Sequence, residues 1–399
     1  MRIFYPLKFV PIYKEMLWGG NRLNKYFNRN SPYEKTGESW DVSCRPGEMG
    51  VIENGPAAGQ DLVDYIAQDW IGVLGTRLKS VERFPLLVKL IDANDNLSVQ
   101  VHPGDDYAQQ FHNNFDALRA LYQSCSEIGA AAKGRDGSGG QWQPTDTGKT
   151  EMWYILTPPT DGELIIGLKP GVTPDGLRLA FESGDMEPCL NRLPVSAGDI
   201  VNIPAGLVHA LTPGAMVAEV QQNSDITYRM YDYNRVGPDG KPRALHLDEA
   251  LAVADFEGRI PRAVTSGLAV KKGDCTLTYT IANPYFAVIK YELNCVFEED
   301  SDPAAFSIFT CVEGEAEIIA PGASGEAAQP GDDAMVVDLP TGSSVFIPAG
   351  LGGYAIRSKG GRAVLLKSFV PDVQKDFITP LKAYGYTDDE IAASTAVGL

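Results

Sequence analysis

Short segments rich in branched or aromatic residues recur along the chain, and most lie close to Gly, Pro, Asn or Asp. Such segments are typical of strands, and many short strands predict an all-β barrel or sandwich. Strand-like runs resume after residue 267 and continue to residue 370. We therefore expect a mainly β fold. In the first half, the predicted strands cover residues 84–93, 97–102, 151–156, 163–168, 199–204 and 215–221.

The same pattern predicts only a few short helices. We expect one over residues 105–122, one that begins at Thr173-Pro174, one that follows His246, and one near the C-terminus. Thr387 and Glu390 in this last segment have the spacing of a capping box. Residues from about 112 to 148 include a Gly-, Asp- and Thr-rich run and are predicted to form an inserted surface loop.

An internal repeat links the two halves of the chain. GDIVNIPAGLVHAL begins at Gly198 and GSSVFIPAGLGGYAI begins at Gly342, and each has Gly, five residues and then Pro-Ala-Gly-Leu. The first copy matches the cupin signature G-x5-P-x-G-x2-H, in which a Pro/Gly turn aims the histidine into a barrel. His209 fills the histidine position in the first copy and Gly353 fills it in the second.

The repeat predicts two cupin-like (jelly-roll) β-barrels. We assign residues 1–260 to a metal-binding catalytic domain that contains the inserted loop. Residues 261–399 are assigned to a second cupin-like domain that lacks metal ligands and ends in a helical tail. The length of 399 residues is consistent with two domains.

Charge and cysteine content narrow the classes of function. The formal net charge of −18 argues against nucleic acid as a partner, and it requires local cations wherever a phosphate binds. No segment approaches the roughly 18 apolar residues that a membrane span needs. The N-terminus lacks the apolar core of a secretory signal, and the six cysteines are scattered without a CxxC pair. We therefore expect a cytoplasmic protein with reduced thiols.

Four candidate metal ligands lie in or beside predicted strands of the first half. Gln100 and His102 are two residues apart and would share a strand face, and Glu151 and His209 join them. Two imidazoles and a carboxylate form a common set for a borderline divalent metal, and an amide oxygen can add a fourth contact. One Zn²⁺ per chain is the first choice, with iron and manganese as alternatives.

Basic residues accompany the same segments. Lys89 lies within an apolar strand, where an unpaired charge is costly, so it indicates an ion pair or a function. Lys149 precedes Glu151 by two residues, and Arg229 follows His209 by twenty. In so acidic a chain, three cations near a metal predict an anion-binding site, with a structural salt bridge as the alternative for each.

These residues resemble the type I phosphomannose isomerases, particularly their shorter bacterial form. The resemblance runs in the family's order across most of the first half. The similar stretches are MLWGGNRL (16–23), GESWDVS (37–43), FPLLVKLIDANDNLSVQVHP (84–103), GKTEMWYIL (148–156), IPAGLVHAL (203–211) and EVQQNSDITYRMYDYNR (219–235).

The resemblance implies an aldose–ketose isomerase that interconverts mannose 6-phosphate and fructose 6-phosphate through an enediol. It implies zinc on His102, Glu151 and His209, with Gln100 as an additional ligand in some members. It also implies that Arg229 is the active-site arginine and that Lys89, Lys149 and Glu219 line the sugar-phosphate pocket. Glu219 and Lys149 are the alternatives for the base.

Two other functions are open from the residues alone. An iron-dependent cupin dioxygenase would carry similar ligands, and a non-catalytic sugar-phosphate-binding cupin would share the fold. The cluster of cations favours an anionic substrate over the first alternative, and acid/base groups beside an open metal site argue against the second. A small-molecule sugar phosphate is the expected partner, and the chain is expected to be a monomer or a homodimer.

Overall fold

A computed structural model of the protein describes residues 3–78, 83–112, 146–237, 240–258, 263–321 and 334–398. Strands make up 42% of the structure and helices 19%, which confirms the predicted mainly β fold. Most of the predicted insertion at 112–148 lies outside the described residues, as does the position predicted for the domain boundary. No helix within the described ranges is long and apolar enough to cross a membrane.

The first half contains two facing antiparallel sheets. All six strands predicted there are present, with ends shifted by at most two residues. In spatial order, the seven-stranded sheet consists of Val264–Thr265, Ile200–Ile203, Glu151–Thr157, Met216–Gln222, Leu86–Asp92, Thr36–Val42 and Ile12–Gly20. The five-stranded sheet consists of Leu190–Pro194, Glu163–Leu168, His209–Ala210, Val99–Val101 and Tyr228–Tyr231.

The second half repeats this plan with a larger and a smaller sheet. The larger sheet consists of Leu268–Lys272, Cys275–Ala282, Ala287–Leu293, Ala363–Phe369, Ser307–Glu313 and Ser344–Ile347, with Ala396–Val397 parallel to Cys275–Ala282. The four-stranded sheet consists of Val296–Asp300, Gly353–Ser358, Glu315–Ala320 and Met335–Pro340. Two small ribbons pair Phe9–Val10 with Val51–Ile52 and Cys44–Arg45 with Glu48–Met49.

The helices are short and lie around the sheets. Thr173 caps the helix that begins at Pro174, and Thr387 and Glu390 form the predicted capping box. The predicted helix at 105–122 is helical from 105 to 112, beyond which the chain is outside the described residues. The helices are Arg22–Phe27, Leu62–Gln68, Trp70–Leu74, Asp105–Tyr107, Pro174–Ser183, Leu247–Val253, Thr379–Tyr384 and Asp388–Ser394, with π-helical turns at Ala108–His112 and Val373–Ile378 and 3₁₀ turns at Gly55–Ala57 and Glu187–Cys189.

The two halves share one hydrophobic core. Val88 and Met152 of the first half pack in the same cluster as Ile308 and Leu366 of the second half. The chain also crosses between the halves near its N-terminus, where Leu7 exchanges two backbone hydrogen bonds of 2.8 Å with a strand residue of the second half. The larger sheets of the two halves therefore pack against each other, and the N-terminal segment is hydrogen-bonded to the larger sheet of the second half.

Strand alternation determines which side chains enter the space between the two sheets of the first half. On strand Glu151–Thr157, Met152 packs in the shared core, whereas Trp153 and Ile155 pack toward the five-stranded sheet. Glu151 is in phase with Trp153 because side chains on one face recur every second residue. By the same alternation, Lys89 and Glu219 point toward the inner space.

Candidate metal centre and substrate cavity

Three buried side chains of the first half converge between its two sheets. The potential ligand atoms of His102, Glu151 and His209 all lie within 4.8 Å of one another. Each residue is at most 1% exposed. Among the described residues, this is the one cluster of three or more His, Cys, Asp or Glu side chains arranged to hold a metal.

The predicted Pro/Gly turn delivers His209 to this cluster. Gly206 adopts a φ of +89°, a left-handed conformation that favours glycine, and its N–H donates to the carbonyl of His102 at 2.9 Å. The strand His209–Ala210 follows, and His209 pairs there with Gln100. The turn therefore ties the segments that carry the two histidines together.

Backbone carbonyls fix the tautomers of both imidazoles. His102 Nδ1 lies 2.7 Å from the carbonyl oxygen of Ile226, and His209 Nδ1 lies 2.8 Å from that of Leu207. A carbonyl oxygen can only accept, so each Nδ1 carries the proton and each Nε2 keeps its lone pair. Burial, helped by the nearby Lys149 charge, lowers the pKa of His102 to about 3 and also lowers the pKa of His209. Both rings are therefore neutral at pH 7 and can serve as ligands.

Glu151 is a fully buried carboxylate with unused acceptor capacity. Its Oε1 lies 3.3 Å from His209 Nε2 and its Oε2 lies 3.6 Å from His102 Nε2. Lys149 Nζ lies 2.7 Å from Oε2 as an ion pair, but neither oxygen accepts a hydrogen bond of good geometry from the described residues. Burial raises the pKa of Glu151, but Lys149 and the two imidazoles outweigh it and hold the pKa well below its usual range.

This donor set fits a divalent cation. Two neutral Nε2 atoms and an ionised carboxylate with free lone pairs are the ligands that a borderline metal prefers. A buried carboxylate without hydrogen bonds is otherwise costly, so the cluster itself indicates a bound cation. Gln100 is close enough to take part, because its side-chain amide nitrogen lies 3.4 Å from His209 Nε2.

A cavity of about 310 Å³ lies beside the cluster. It is lined by four cationic residues and three carboxylates, so its lining is slightly positive although the whole chain carries −18. These residues include all three cations predicted from the sequence, together with Gln100 and Glu219. The charged lining residues are Lys89, Lys149, Arg229, Arg243, Glu38, Glu219 and Asp225.

Lys89 and Glu219 face each other across neighbouring strands on the cavity wall. They are directly paired in the sheet, and Lys89 Nζ lies 3.3 Å from Glu219 Oε1 and 3.6 Å from Glu38 Oε2. Trp153 Nε1 donates to the other oxygen of Glu219 at 2.8 Å. Burial and the charge of Glu151 raise the pKa of Glu219, whereas the carboxylates around Lys89 overcome its burial and raise the pKa of the ammonium.

Arg229 lies on the opposite wall, on the strand paired with that of Gln100. Its Nε donates to Ser98 Oγ at 3.2 Å, and a terminal nitrogen donates to the carbonyl oxygen of Ala244 at 3.0 Å. These bonds anchor a guanidinium that also lines the cavity. Burial and the neighbouring Arg243 lower the pKa of Arg229, but an arginine remains charged.

Every site residue predicted from the sequence lies in this cluster or on the cavity wall. The strand of Glu151 begins at Glu151, as predicted, so Lys149 lies just before it. The backbone N–H of Lys149 donates to the carbonyl of Pro103 at 3.0 Å. Its ammonium still reaches the cluster, 3.2 Å from His102 Nε2.

Sequence reasoning missed several residues of the cavity. Glu38 could have been found because it lies two residues before the buried Trp40 and so shares its strand face. Both residues belong to a stretch already noted for its resemblance to the family. Arg243 and His246 carried no usable signal, because they lie in an irregular segment, and His246 resembled an ordinary structural histidine. Trp153 looked like a core residue, and its indole N–H gives it a polar contact as well.

Comparison with known proteins identifies the family. The model of the type I phosphomannose isomerase catalytic domain matches residues 7–132. The probable mannose-6-phosphate isomerase GmuF of Bacillus subtilis is 37% identical over 290 residues, which cover 73% of this chain and 80% of that protein. The chain belongs to the type I phosphomannose isomerase family. The prediction of the family from the sequence is thereby confirmed.

Solved structures of phosphomannose isomerases have the same fold. A crystal structure of the mannose 6-phosphate isomerase of Bacillus subtilis is 30% identical, with a TM-score of 0.71, and the match covers 91% of this chain and 99% of that chain. A mannose 6-phosphate isomerase solved with zinc and yttrium is 19% identical, with a TM-score of 0.58, over 90% of this chain and 98% of that chain. The second likeness concerns the fold alone.

Proposed function

We propose that this chain is a metal-dependent isomerase that interconverts mannose 6-phosphate and fructose 6-phosphate. The observation that carries the proposal is a buried His102–Glu151–His209 cluster beside a cavity lined by cations, in a member of the phosphomannose isomerase family. The relatives favour neither a dioxygenase nor a non-catalytic sugar-phosphate-binding protein. The substrate is a small molecule, and its phosphate accounts for local positive charge in an acidic chain.

The proposed metal ligands are His102, Glu151 and His209, with Gln100 as a fourth. Rotation of the Gln100 amide would exchange its nitrogen and oxygen and so present the oxygen to a cation. Zinc is the preferred metal because imidazole and carboxylate suit it, and a zinc-bound structure of a protein with the same fold supports the choice. A bound divalent metal would polarise the substrate's carbonyl and hydroxyl oxygens.

Glu219 is the proposed general base. Isomerisation needs a group that takes the proton from C2 and returns it to C1, and the reverse reaction needs the opposite transfer. Glu219 lines the cavity, and one of its oxygens is fixed by Trp153. Burial raises the pKa of Glu219 from the ordinary glutamate value in the direction of neutral pH. These features suit a carboxylate that exchanges a proton with carbon at neutral pH.

Lys149, Arg229 and Lys89 are proposed to act on the oxygens and the phosphate. Lys149 forms an ion pair with the carboxylate of Glu151, which favours the ammonium form over a basic amine. It can instead donate to the oxygens at C1 and C2. Arg229 is placed to bind the phosphate or the developing enediolate oxygen. Lys89 holds Glu219 and contributes to the positive lining.

The wider organisation is part of the same proposal. We assign residues 1–260 to the catalytic cupin domain and residues 261–399 to a second cupin-like domain that supports it through the shared core. The strand Val264–Thr265 lies in the assigned second domain but pairs with Ile200 and Val201 of the first. We therefore expect the two domains to fold together. We further propose one zinc per chain, a cytoplasmic location, no nucleic-acid partner and a monomeric or homodimeric protein.

A coupled assay tests the function. Fructose 6-phosphate formed from mannose 6-phosphate is measured for the enzyme as purified, after treatment with a chelator, and after zinc is returned. The proposal predicts turnover, its loss and its recovery. Full turnover by protein shown to be metal-free would overturn the metal dependence, and no turnover by zinc-loaded protein would overturn the reaction.

A further inference from the structure

Two thiols of the second half lie in contact, far along the chain from the isomerase residues. Cys275 begins a strand of the larger sheet, and Cys295 lies in the turn that follows the neighbouring strand. Their Sγ atoms are 3.1 Å apart. Both are free thiols, and neither lines the substrate cavity.

The sheet holds the two thiols in this arrangement. The strand of Cys275 pairs with Ala287–Leu293, with Thr276 opposite Glu292, so the register brings the start of one strand beside the end of the other. The side chains of Cys275 and Cys295 then meet at the open end of this hairpin, opposite its connecting loop. A disulfide has an S–S length of about 2.05 Å, so the sulfurs need to approach by only about 1 Å.

The two thiols differ in access to solvent. Cys275 is 1% exposed and packs with Leu277 and Leu293, whereas Cys295 is partly exposed. A small-molecule disulfide in solution therefore reaches Cys295 first. Cys275 is then placed to attack the mixed disulfide formed on Cys295. The contact with Cys275 raises the pKa of Cys295, so the attack starts from the fraction of Cys295 that is present as thiolate, and this fraction grows as the pH rises.

We propose that Cys275 and Cys295 are a redox modification site that forms a reversible disulfide with a small-molecule disulfide of the glutathione class. The Cys295 thiolate attacks one sulfur of the oxidant, which forms a mixed disulfide and releases one thiolate. The Cys275 thiolate then attacks Cys295 Sγ and displaces the second thiolate. Two protons leave the protein, the protein loses two electrons, and the oxidant is reduced to two thiols.

A disulfide suits this pair better than a metal. A structural zinc site needs four ligands, and no metal-binding cluster includes either cysteine among the residues that the structure describes. The cross-link would close a loop between residues 275 and 295 and restrict the unfolded chain more than the folded one. It is therefore expected to stabilise the second half and to leave isomerase turnover unchanged.

The test uses the full-length protein in which Cys125→Ser removes a cysteine that lies outside the described residues. This protein is treated with oxidised glutathione and analysed by intact mass and non-reducing peptide mapping. We expect the loss of two hydrogens, one peptide joined through residues 275 and 295, reversal by dithiothreitol, and a Tm higher by a few degrees in the oxidised form.

Matched variants separate this pair from the other thiols. Cys295→Ser should abolish the loss of two hydrogens, Cys275→Ser should leave a stable glutathione adduct on residue 295, and Cys189→Ser should change nothing. Cys295→Ser keeps the test decisive if the buried Cys275→Ser variant fails to fold. An unchanged mass in excess oxidant, or a cross-link between other cysteines, would overturn the proposal.

Discussion

The two halves of the molecule treat a carboxylate between their sheets in opposite ways. In the second half, Glu299 accepts from Tyr291 and Tyr354 hydroxyls, each at 3.1 Å, and from Lys367 Nζ at 2.5 Å. In the first half, Glu151 is more deeply buried, yet its oxygens accept no hydrogen bond from the described residues. Glu299 is therefore satisfied by its own chain, whereas Glu151 keeps lone pairs that a bound cation could use.

The sequence repeat ends differently in the two halves as well. His209 is buried between the two sheets of the first half, whereas Gly353 is exposed and begins a strand of the four-stranded sheet of the second half. Related scaffolds therefore acquire different roles through a few inward-facing positions. Function can be inferred from buried polar groups that the protein leaves unsatisfied, because satisfied ones are explained by structure alone.

The largest expected effect comes from His209→Ala. This change removes one ligand of the proposed metal, so we expect metal loss and turnover at the background of the coupled assay. Metal content by elemental mass spectrometry and turnover are measured on the same sample. Glu299→Gln in the other half is the matched control and should keep both. A His209→Ala protein that is free of metal but retains turnover would remove the metal from the mechanism.

Glu219→Gln should lower kcat by about 10²–10⁴-fold, the usual contribution of a general base. The amide keeps the size of the side chain but cannot take a proton, and the metal ligands are untouched. Metal content should therefore stay normal. If kcat is unchanged, Glu219 is not the base and the proposed proton transfer at C2 is wrong.

Arg229→Ala should lower kcat/KM by about 10²–10³-fold, because it removes a charge-assisted donor from the cavity. Arg229→Lys retains the charge without the planar guanidinium and should recover only part of the loss. Metal content is measured for both variants. Loss of metal would mean that Arg229 supports the ligands and does not act on the substrate.

A smaller effect is expected on the pH profile of Lys89→Gln. The Lys89 charge lowers the pKa of Glu219, so its removal should raise that pKa further above the ordinary glutamate range. A base works only when deprotonated, and activity falls as the pH falls through its pKa. The acid limb of kcat/KM should therefore move to higher pH. A shift to lower pH would contradict the assigned coupling between these two residues.

The smallest effect on catalysis is expected from Glu299→Gln itself. The change weakens the hydrogen bonds from both tyrosines and leaves Lys367 without its carboxylate. The free energy of unfolding should fall by about 1–3 kcal/mol, measured by denaturant titration. Turnover per folded molecule should be unchanged. A loss of turnover at full folding would show that the second half takes part in catalysis.

Local sequence patterns could predict the strands and several site residues. Lys89 was identifiable because a lysine in an apolar strand needs a partner, and His209 because the Pro/Gly turn has a defined direction. The β class also followed from the many short branched segments. These features depend on neighbours within a few residues, so they can be recognised from the sequence alone.

Long-range pairing could not be predicted in the same way. The register that places Glu219 opposite Lys89 and Gln221 opposite Glu151 joins strands that are distant in the sequence. Arg243 reaches the cavity from an irregular segment whose path depends on tertiary packing. The core shared by the two halves was also invisible, because alternation shows that a strand has two faces but not what covers each one.

Anomalous diffraction at the zinc edge, from crystals of zinc-loaded protein, tests the central claim most directly. The account predicts one strong peak among His102 Nε2, His209 Nε2 and the carboxylate of Glu151, with none in the second half of the chain. A fully occupied zinc peak elsewhere, with these three side chains making no contact to it, would contradict the account.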